Sequence, residues 1–478
     1  MQNILSQKKI FLLIIPFLLL LFSCEKDDNN EYIFGTNSIV NYLENNQEEF
    51  SLFLEAINQA DLYGILDGNS GTYTVMAPDN EAMENYLAEN QIENIADIPE
   101  EELMQLIDYH ILEILTPFEA FTTGYSPTLA AIAVNDSVDT NLSLYVKNTV
   151  DEVEFNGKAK ITESDIELDN GILHKIDHTL SLPTLKTFID ADENLNLYYE
   201  KITAEDISTD FEDILANPDQ KSTVLVPNEF AVETFFAEEG ANMTATELNE
   251  IYRYHLLDTV KLAQNLSSGY LPTKAREEYS GENHTLDLYL NTDSGLALNG
   301  ETTIVISDLM TINGNIQVID QVLNLPTVET FIKADSRFTD FENALSQEEQ
   351  SAENYFELLA ASIEDNDIPI TVFSPDNQAF EGLLEELFDE EEEELAEIEN
   401  IDPEELTTIL NLHILKNQSL RSEDFSNQTL NTLGEDIELN ADENKLIDPI
   451  GKESDIIDTN IQTANGVVHV INRVLRAN

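Results

Sequence analysis

Seven histidines and a single cysteine are the side chains of this 478-residue chain best equipped for nucleophilic, acid–base or metal chemistry. A metal site would need several of them to converge, and a general base would need a nucleophile within reach. Their spacing argues against both. His110, His255 and His413 recur at near-equal intervals far apart in sequence, each closing the same short helical pattern. His174 and His469 each stand three residues after the glycine of an Asn-Gly pair, alternating with Ile176 and Ile471 as inward-facing strand residues do. His178 and His284 have no counterparts. No two histidines show zinc-ligand spacing on a helix, and the chain lacks a Gly-x-Ser-x-Gly elbow, a phosphate-cradling Gly-x-x-x-x-Gly-Lys loop and an Asp-x-Asp-x-Asp-Gly calcium loop. The chain therefore reads as non-enzymatic, with no metal and no cofactor. The expected state of a repeated, stripe-borne histidine is burial with backbone hydrogen bonds to its ring.

Charge narrows the partners. Ninety-four acidic residues face 22 basic ones, a net of −72, and a field of that size repels nucleic acid and anionic lipid headgroups. So much acid is first of all solvated surface. Carboxylates are also so plentiful that any two could be paired, which deprives a glycosidase reading of meaning.

The elements that position these residues recur three times. Thr74-Val-Met-Ala-Pro78, Thr223-Val-Leu-Val-Pro227 and Thr371-Val-Phe-Ser-Pro375 each read as a strand that ends on a proline unable to continue a ladder. The next residue, Asp79, Asn228 or Asp376, is suited to cap a helix. Further on, Leu103, Leu106, Ile107, His110 and Ile111 follow the i, i+3, i+4, i+7, i+8 stripe of an amphipathic helix. Leu248, Ile251, Tyr252, His255 and Leu256 repeat it, as do Leu406, Ile409, Leu410, His413 and Ile414. Asn170-Gly171, Asn313-Gly314 and Asn465-Gly466 then open β-branched runs, and Asn-Gly predicts a tight hairpin turn with positive φ ahead of each strand. Leu182 to Asp192 and Leu325 to Asp335 share most of their residues, and Pro183 and Pro326 mark the first two junctions.

In this order and spacing the Thr-Val-x-x-Pro element, the Tyr-His helix end and the Asn-Gly-x-x-His-x-Ile-Asp finish resemble the fasciclin-like domain family. The resemblance spans nearly all of residues 35 to 478. It implies an α+β fold with three tandem fasciclin-like domains over residues 35–183, 184–326 and 327–478, each a wedge or sandwich of β-sheet with packed helices. It also implies a role in cell adhesion, with an extracellular or cell-surface protein or glycan as partner. The Tyr-His helix end is linked with partner recognition in that family, which makes Tyr109 and His110, Tyr254 and His255, and Leu412 and His413 the candidate binding residues. Departures occur. Glu229 replaces Asn80 and Asn377, Gln317 replaces His174 and His469, and Leu412 replaces the tyrosine of Tyr109-His110 and Tyr254-His255. Copy three also stretches the segment between Pro375 and His413 with Glu390 to Glu394, read as the solvated face of a longer helix.

Ahead of the repeats, Lys8 and Lys9 precede an apolar run from Ile10 to Phe22. At about 1.5 Å per residue that run reaches only about 20 Å of the ~30 Å a spanning helix must cross, so residues 1–23 read as an export signal. Leu21-Phe22-Ser23-Cys24 resembles a bacterial lipobox, which makes Cys24 a lipidation site and the membrane a partner through that lipid. Residues 24–34 form a polar acidic tether that resembles the export tags of Bacteroidota lipoproteins. The expected location is the outer membrane, lipid-anchored, at the cell surface or facing the periplasm. The alternative function is a carbohydrate-binding accessory lipoprotein of a polysaccharide-uptake system. The absence of tryptophan weighs against it, although 16 tyrosines remain.

Overall fold

The computed structural model describes residues 37–68, 70–135, 138–149, 152–293, 295–347, 354–361, 369–388 and 396–477. The export signal, Cys24, the whole tether and Glu390 to Glu394 lie outside the described residues. No helix among the described residues is long and apolar enough to cross a membrane.

Three copies of one α+β unit follow one another. In unit one the strands run in the order Ile111–Leu112, Tyr73–Pro78, Gly171–Ile176, Ala159–Leu168, Val153–Phe155, Val138–Asn148 and Gly124–Asn135. Units two and three repeat that seven-stranded order. One pair in each sheet is parallel: Tyr73–Pro78 beside Gly171–Ile176, Ser222–Pro227 beside Gly314–Ile319, and Ile370–Pro375 beside Gly466–Ile471. The first strand of each pair, Tyr73–Pro78, Ser222–Pro227 or Ile370–Pro375, is buried along nearly its whole length, which is why it reads as a largely apolar run rather than an alternating one. The strand before the last, Ala159–Leu168 in unit one, pairs at one end with Val153–Phe155 and along most of its length with Gly171–Ile176. Register shifts bend it where Asp165, Asp308 and Asn460 adopt positive φ of 57°, 57° and 63°, and each sheet folds there into two leaves that share this strand.

Each predicted cap is in place. Asp79, Asn228 and Asp376 accept hydrogen bonds from the backbone N–H of Ala82, Ala231 and Ala379 at 2.9, 2.9 and 2.8 Å. Helices Asn80–Glu89, Glu229–Glu238 and Asn377–Leu387 follow.

The Asn-Gly pairs work differently from the hairpin turn expected of them. In units one and two Leu168 pairs with Gly171 and Thr311 with Gly314, so the turn falls one residue earlier and the glycine is already in the strand. A Cβ on Gly171, Gly314 or Gly466 would lie 2.0, 1.9 or 2.1 Å from a carbonyl oxygen of the parallel neighbour, so glycine is required by close approach of two backbones. The asparagine is buried. Asn170, Asn313 and Asn465 accept from the N–H of Ile39, Leu185 and Val328 and donate to the carbonyls of Leu66, Leu215 and Leu359, tying each unit's first helix to its last strand.

The units dock sheet end to helix end, twice, through matching residues. Tyr125 of unit one donates to Asp192 Oδ2 of unit two at 2.9 Å and meets Phe188 edge-on at 5.2 Å. Tyr270 of unit two repeats this on Asp335 (2.9 Å) and Phe331 (5.0 Å) of unit three. Tyr145 and Tyr289 pack beside them and are buried in the cores of the following units. Two residues before Tyr145 and Tyr289 on the same strands, Ser143 Oγ accepts the N–H of Met310 at 3.0 Å and Asp287 Oδ2 accepts that of Gln462 at 2.8 Å.

Candidate functional site

The helices that carry the histidines, Glu100–Tyr109, Ala245–Tyr254 and Pro403–Asn411, bury their apolar stripe, and the histidine follows at or just past the helix end. His110, His255 and His413 are all 0% exposed. Nδ1 lies 2.7 to 2.8 Å from the carbonyl of Leu106, Ile251 or Ile409, four residues earlier. Nε2 accepts the N–H of Leu180, Leu323 or Leu475 at 2.9 to 3.1 Å. That pattern requires a neutral ring with its proton on Nδ1, because a carbonyl cannot donate and an amide cannot accept. The histidine carbonyl in turn accepts the N–H of Met76, Leu225 or Phe373 in the unit's first strand. One residue thus joins a helix end, a central strand and the chain's exit from the unit. Burial pushes all three imidazoles down to about 4.

His174 and His469 have a second interior role. Their Nε2 donates to the carbonyl of Thr116 or Leu420, and Nδ1 accepts from the N–H of the bent-strand residue Asp165 or Asn460. Gln317 stands in the same place and makes the same bonds with an amide: Nε2 donates to Lys261 and Oε1 accepts from Asp308. A glutamine presents one donor and one acceptor much as a neutral imidazole does, which accounts for the substitution. His178 and His284 are partly exposed, beside Asp177 and Glu282. The five interior histidines lie in separate pockets of their own units. Among the described residues no group of three or more histidine, cysteine or acidic side chains is placed to hold a metal.

Tyr109 and Tyr254 point the opposite way from their neighbouring histidines. Each is 0% exposed, and burial holds its hydroxyl protonated far above the ordinary range. Tyr109 donates to the carbonyl of Ser143 at 2.7 Å and accepts from Asn156 Nδ2 at 2.9 Å. Tyr254 does the same with Asp287 (2.7 Å) and Asn299 (3.0 Å). Leu412 is also fully buried, within the apolar cluster of Phe373, Leu415 and Leu439. Asn80 and Asn377 bridge to the N–H of Leu52 and Asp340 and to the carbonyls of Glu48 and Ser336, links that Glu229, as a carboxylate, cannot make in full because it has no donor.

The docking residues were not singled out from the sequence. Their signal was there in Gly124-Tyr125 and Gly269-Tyr270, in Asn156-Gly157 and Asn299-Gly300, and in Asp192 and Asp335 at the end of the longest repeated segment.

A model of the fasciclin domain matches residues 48–183, 198–326 and 336–477. The chain belongs to the fasciclin-domain family. It is 26% identical over 450 residues to transforming growth factor-beta-induced protein ig-h3 of Sus scrofa, covering 92% of this chain and 58% of that protein. Against human periostin it is 26% identical over 457 residues, covering 90% of this chain and 46% of periostin. A fasciclin-like arabinogalactan protein of Arthroderma benhamiae is 30% identical over 285 residues, 57% of this chain and 63% of that protein. The chain thus spans about half to two thirds of the length of these curated relatives. A solved FAS1 domain pair from the insect cell adhesion molecule Fasciclin I aligns with 57% of this chain and 95% of its own, at 22% identity and a TM-score of 0.37.

Proposed function

We propose that this is a non-enzymatic adhesion protein of the cell exterior, held on the outer membrane by lipid on Cys24, with units divided at residues 183/184 and 326/327. It presents three docked fasciclin domains to an extracellular or cell-surface protein or glycan. The observation that carries this reading is how the chemistry-bearing side chains are used. The five interior histidines, and the tyrosines of both Tyr-His pairs, have their polar atoms committed to internal hydrogen bonds, which leaves function to the outer surfaces. Tyr109, His110, Tyr254, His255, Leu412 and His413 then serve partner binding indirectly, by holding the frame of the surface that meets the partner. Several weak contacts along three linked domains add through effective concentration.

Two measurements on intact cells test this. External protease should degrade the full-length protein on whole cells, and Cys24→Ala should release it into the medium or periplasm and abolish the cells' retention on a matrix-coated surface. Full protection of the wild-type protein from protease, or unchanged retention of Cys24→Ala cells, would refute the anchored-adhesion reading.

A further inference from the structure

The strand that receives the next unit is held from behind by the tyrosine of the Tyr-His pair. Tyr109 bonds the carbonyl of Ser143, the same residue whose hydroxyl accepts Met310 of unit two. Asn156, which donates to Tyr109, also clasps Tyr145 through both its own N–H and its Oδ1. Asn156 sits at a φ of 50°, and Gly157 beside it is pressed against unit two so closely that a Cβ there would stand 3.1 Å from Ala191 Cβ. Every part recurs at the second junction. Tyr254 bonds Asp287, Asn299 clasps Tyr289 at a φ of 48°, and a Cβ on Gly300 would stand 3.2 Å from Ala334 Cβ of unit three.

At the sheet end of unit three the same register positions hold other residues. Leu412 stands for Tyr109 and Tyr254. Pairing of Thr429 with Glu438 replaces that of Tyr125 with Tyr145 and of Tyr270 with Tyr289. Ile447, opposite Glu438, stands for Asn156 and Asn299, and Asp448 stands for the glycine. Thr429 and Glu438 are exposed. The helix end of unit one is changed as well. Asn45, exposed, occupies the place of Ala191 and Ala334, Asn46 that of Asp192 and Asp335, and Tyr42 that of Phe188 and Phe331. A heterologous sheet-end to helix-end contact does not close on itself, so a chain with matching ends would grow into filaments. Repeat arrays avoid this with altered terminal faces.

We propose that Tyr109 with Asn156, and Tyr254 with Asn299, are positioning residues for docking of the next fasciclin domain. The changed residues at the sheet end of unit three and the helix end of unit one close those faces to a fasciclin partner, which keeps the chain monomeric. The docking device and its absence are both written in a handful of positions.

Pulsed spin-resonance distances on the full mature chain, with Cys24→Ala to free the labelling chemistry and one label on each of two neighbouring units, read the docking directly. Tyr254→Phe should raise the undocked population at the second junction about five-fold, the factor carried by one lost hydrogen bond, and leave the first junction unchanged. Tyr109→Phe should do the converse. Unchanged distributions in both variants would overturn the positioning role, as would an equal change at both junctions. For the closed ends, sedimentation should show the unmodified chain monomeric. A chain carrying Leu412→Tyr, Thr429→Tyr, Glu438→Tyr, Ile447→Asn and Asp448→Gly with Tyr42→Phe, Asn45→Ala and Asn46→Asp should associate as concentration rises. Head-to-tail association of the unmodified chain, or a folded variant that stays monomeric at the highest soluble concentration, would overturn this second half.

Discussion

Units one and three are alike inside and unlike at their sheet ends. Around His110 and His413 the same helix carbonyl, the same exit-segment amide and the same first-strand amide are bonded, at distances that differ by about 0.1 Å or less. At the sheet ends, a paired Tyr125 and Tyr145 over a clasping Asn156 contrasts with an exposed Thr429 and Glu438 beside Ile447. The contrast separates two kinds of constraint. A buried histidine is held because a replacement must supply the same donor and acceptor, as Gln317 does, or leave a buried group unpaired. A docking face is held only while something docks there, and once free it can turn polar without cost to the core.

The interior half of this comparison is tested by the largest effect. His110→Ala, His255→Ala and His413→Ala should each destabilise their own unit by about 4 kcal/mol, since each leaves an amide and a carbonyl unpaired as well as a void. Denaturant unfolding followed by hydrogen exchange in each unit would measure it. Similar losses in all three would confirm that the interiors are equivalent, whereas a small loss in unit three would break the likeness to unit one.

Acid sharpens it next. Burial holds His110, His255, His413 and His469 at about 4 against 6.5 in the unfolded chain, and lowers His174 for the same reason. A depressed histidine means the folded state binds fewer protons, so stability is full above pH 6.5 and falls as pH drops toward 4, by about 3 kcal/mol for each of the four held at about 4. Units one and three each have two such histidines, while unit two has His255 and the non-titrating Gln317. Asp108 of unit one and Asp287 of unit two run the other way: burial raises each carboxyl to about 6, so acid below that pH favours the folded form in both units and leaves the histidine count to set the difference. Unit two should therefore lose exchange protection less steeply between pH 7 and 4.5 than its neighbours. Gln317→His should steepen it.

The smallest effect concerns the helix that follows each proline. Asn80→Ala and Asn377→Ala should cost about 1 kcal/mol each through their lost bridges, and Glu229→Ala should be close to neutral. Thermal melting of the three variants would rank them. An equal cost at all three positions would show that unit two has an equivalent bridge.

Much of the interior was legible from the sequence, because periodicity and capping follow from local geometry. The helical stripes placed His110, His255 and His413 inside, and Asp79, Asn228 and Asp376 announced their caps. The role of Gly171 was not legible in the same way. Its requirement comes from the carbonyl of Tyr73, almost a hundred residues away, so the local pair Asn170-Gly171 suggested a turn that falls one residue earlier. Docking was harder still. Tyr125 and Asp192 belong to different units, and what joins them is the relative placement of two folded bodies, which no spacing within one repeat encodes.

The lone parallel pair has a mechanical consequence. A pull entering each unit through the helices ahead of Tyr73 and leaving beyond Ile176 draws the two adjacent strands lengthwise in opposite directions, because both run the same way. Their ladder is then loaded in shear, and its bonds must rupture together rather than unzip one at a time. Under tension, resistance would be set by the rate of that concerted rupture more than by equilibrium stability.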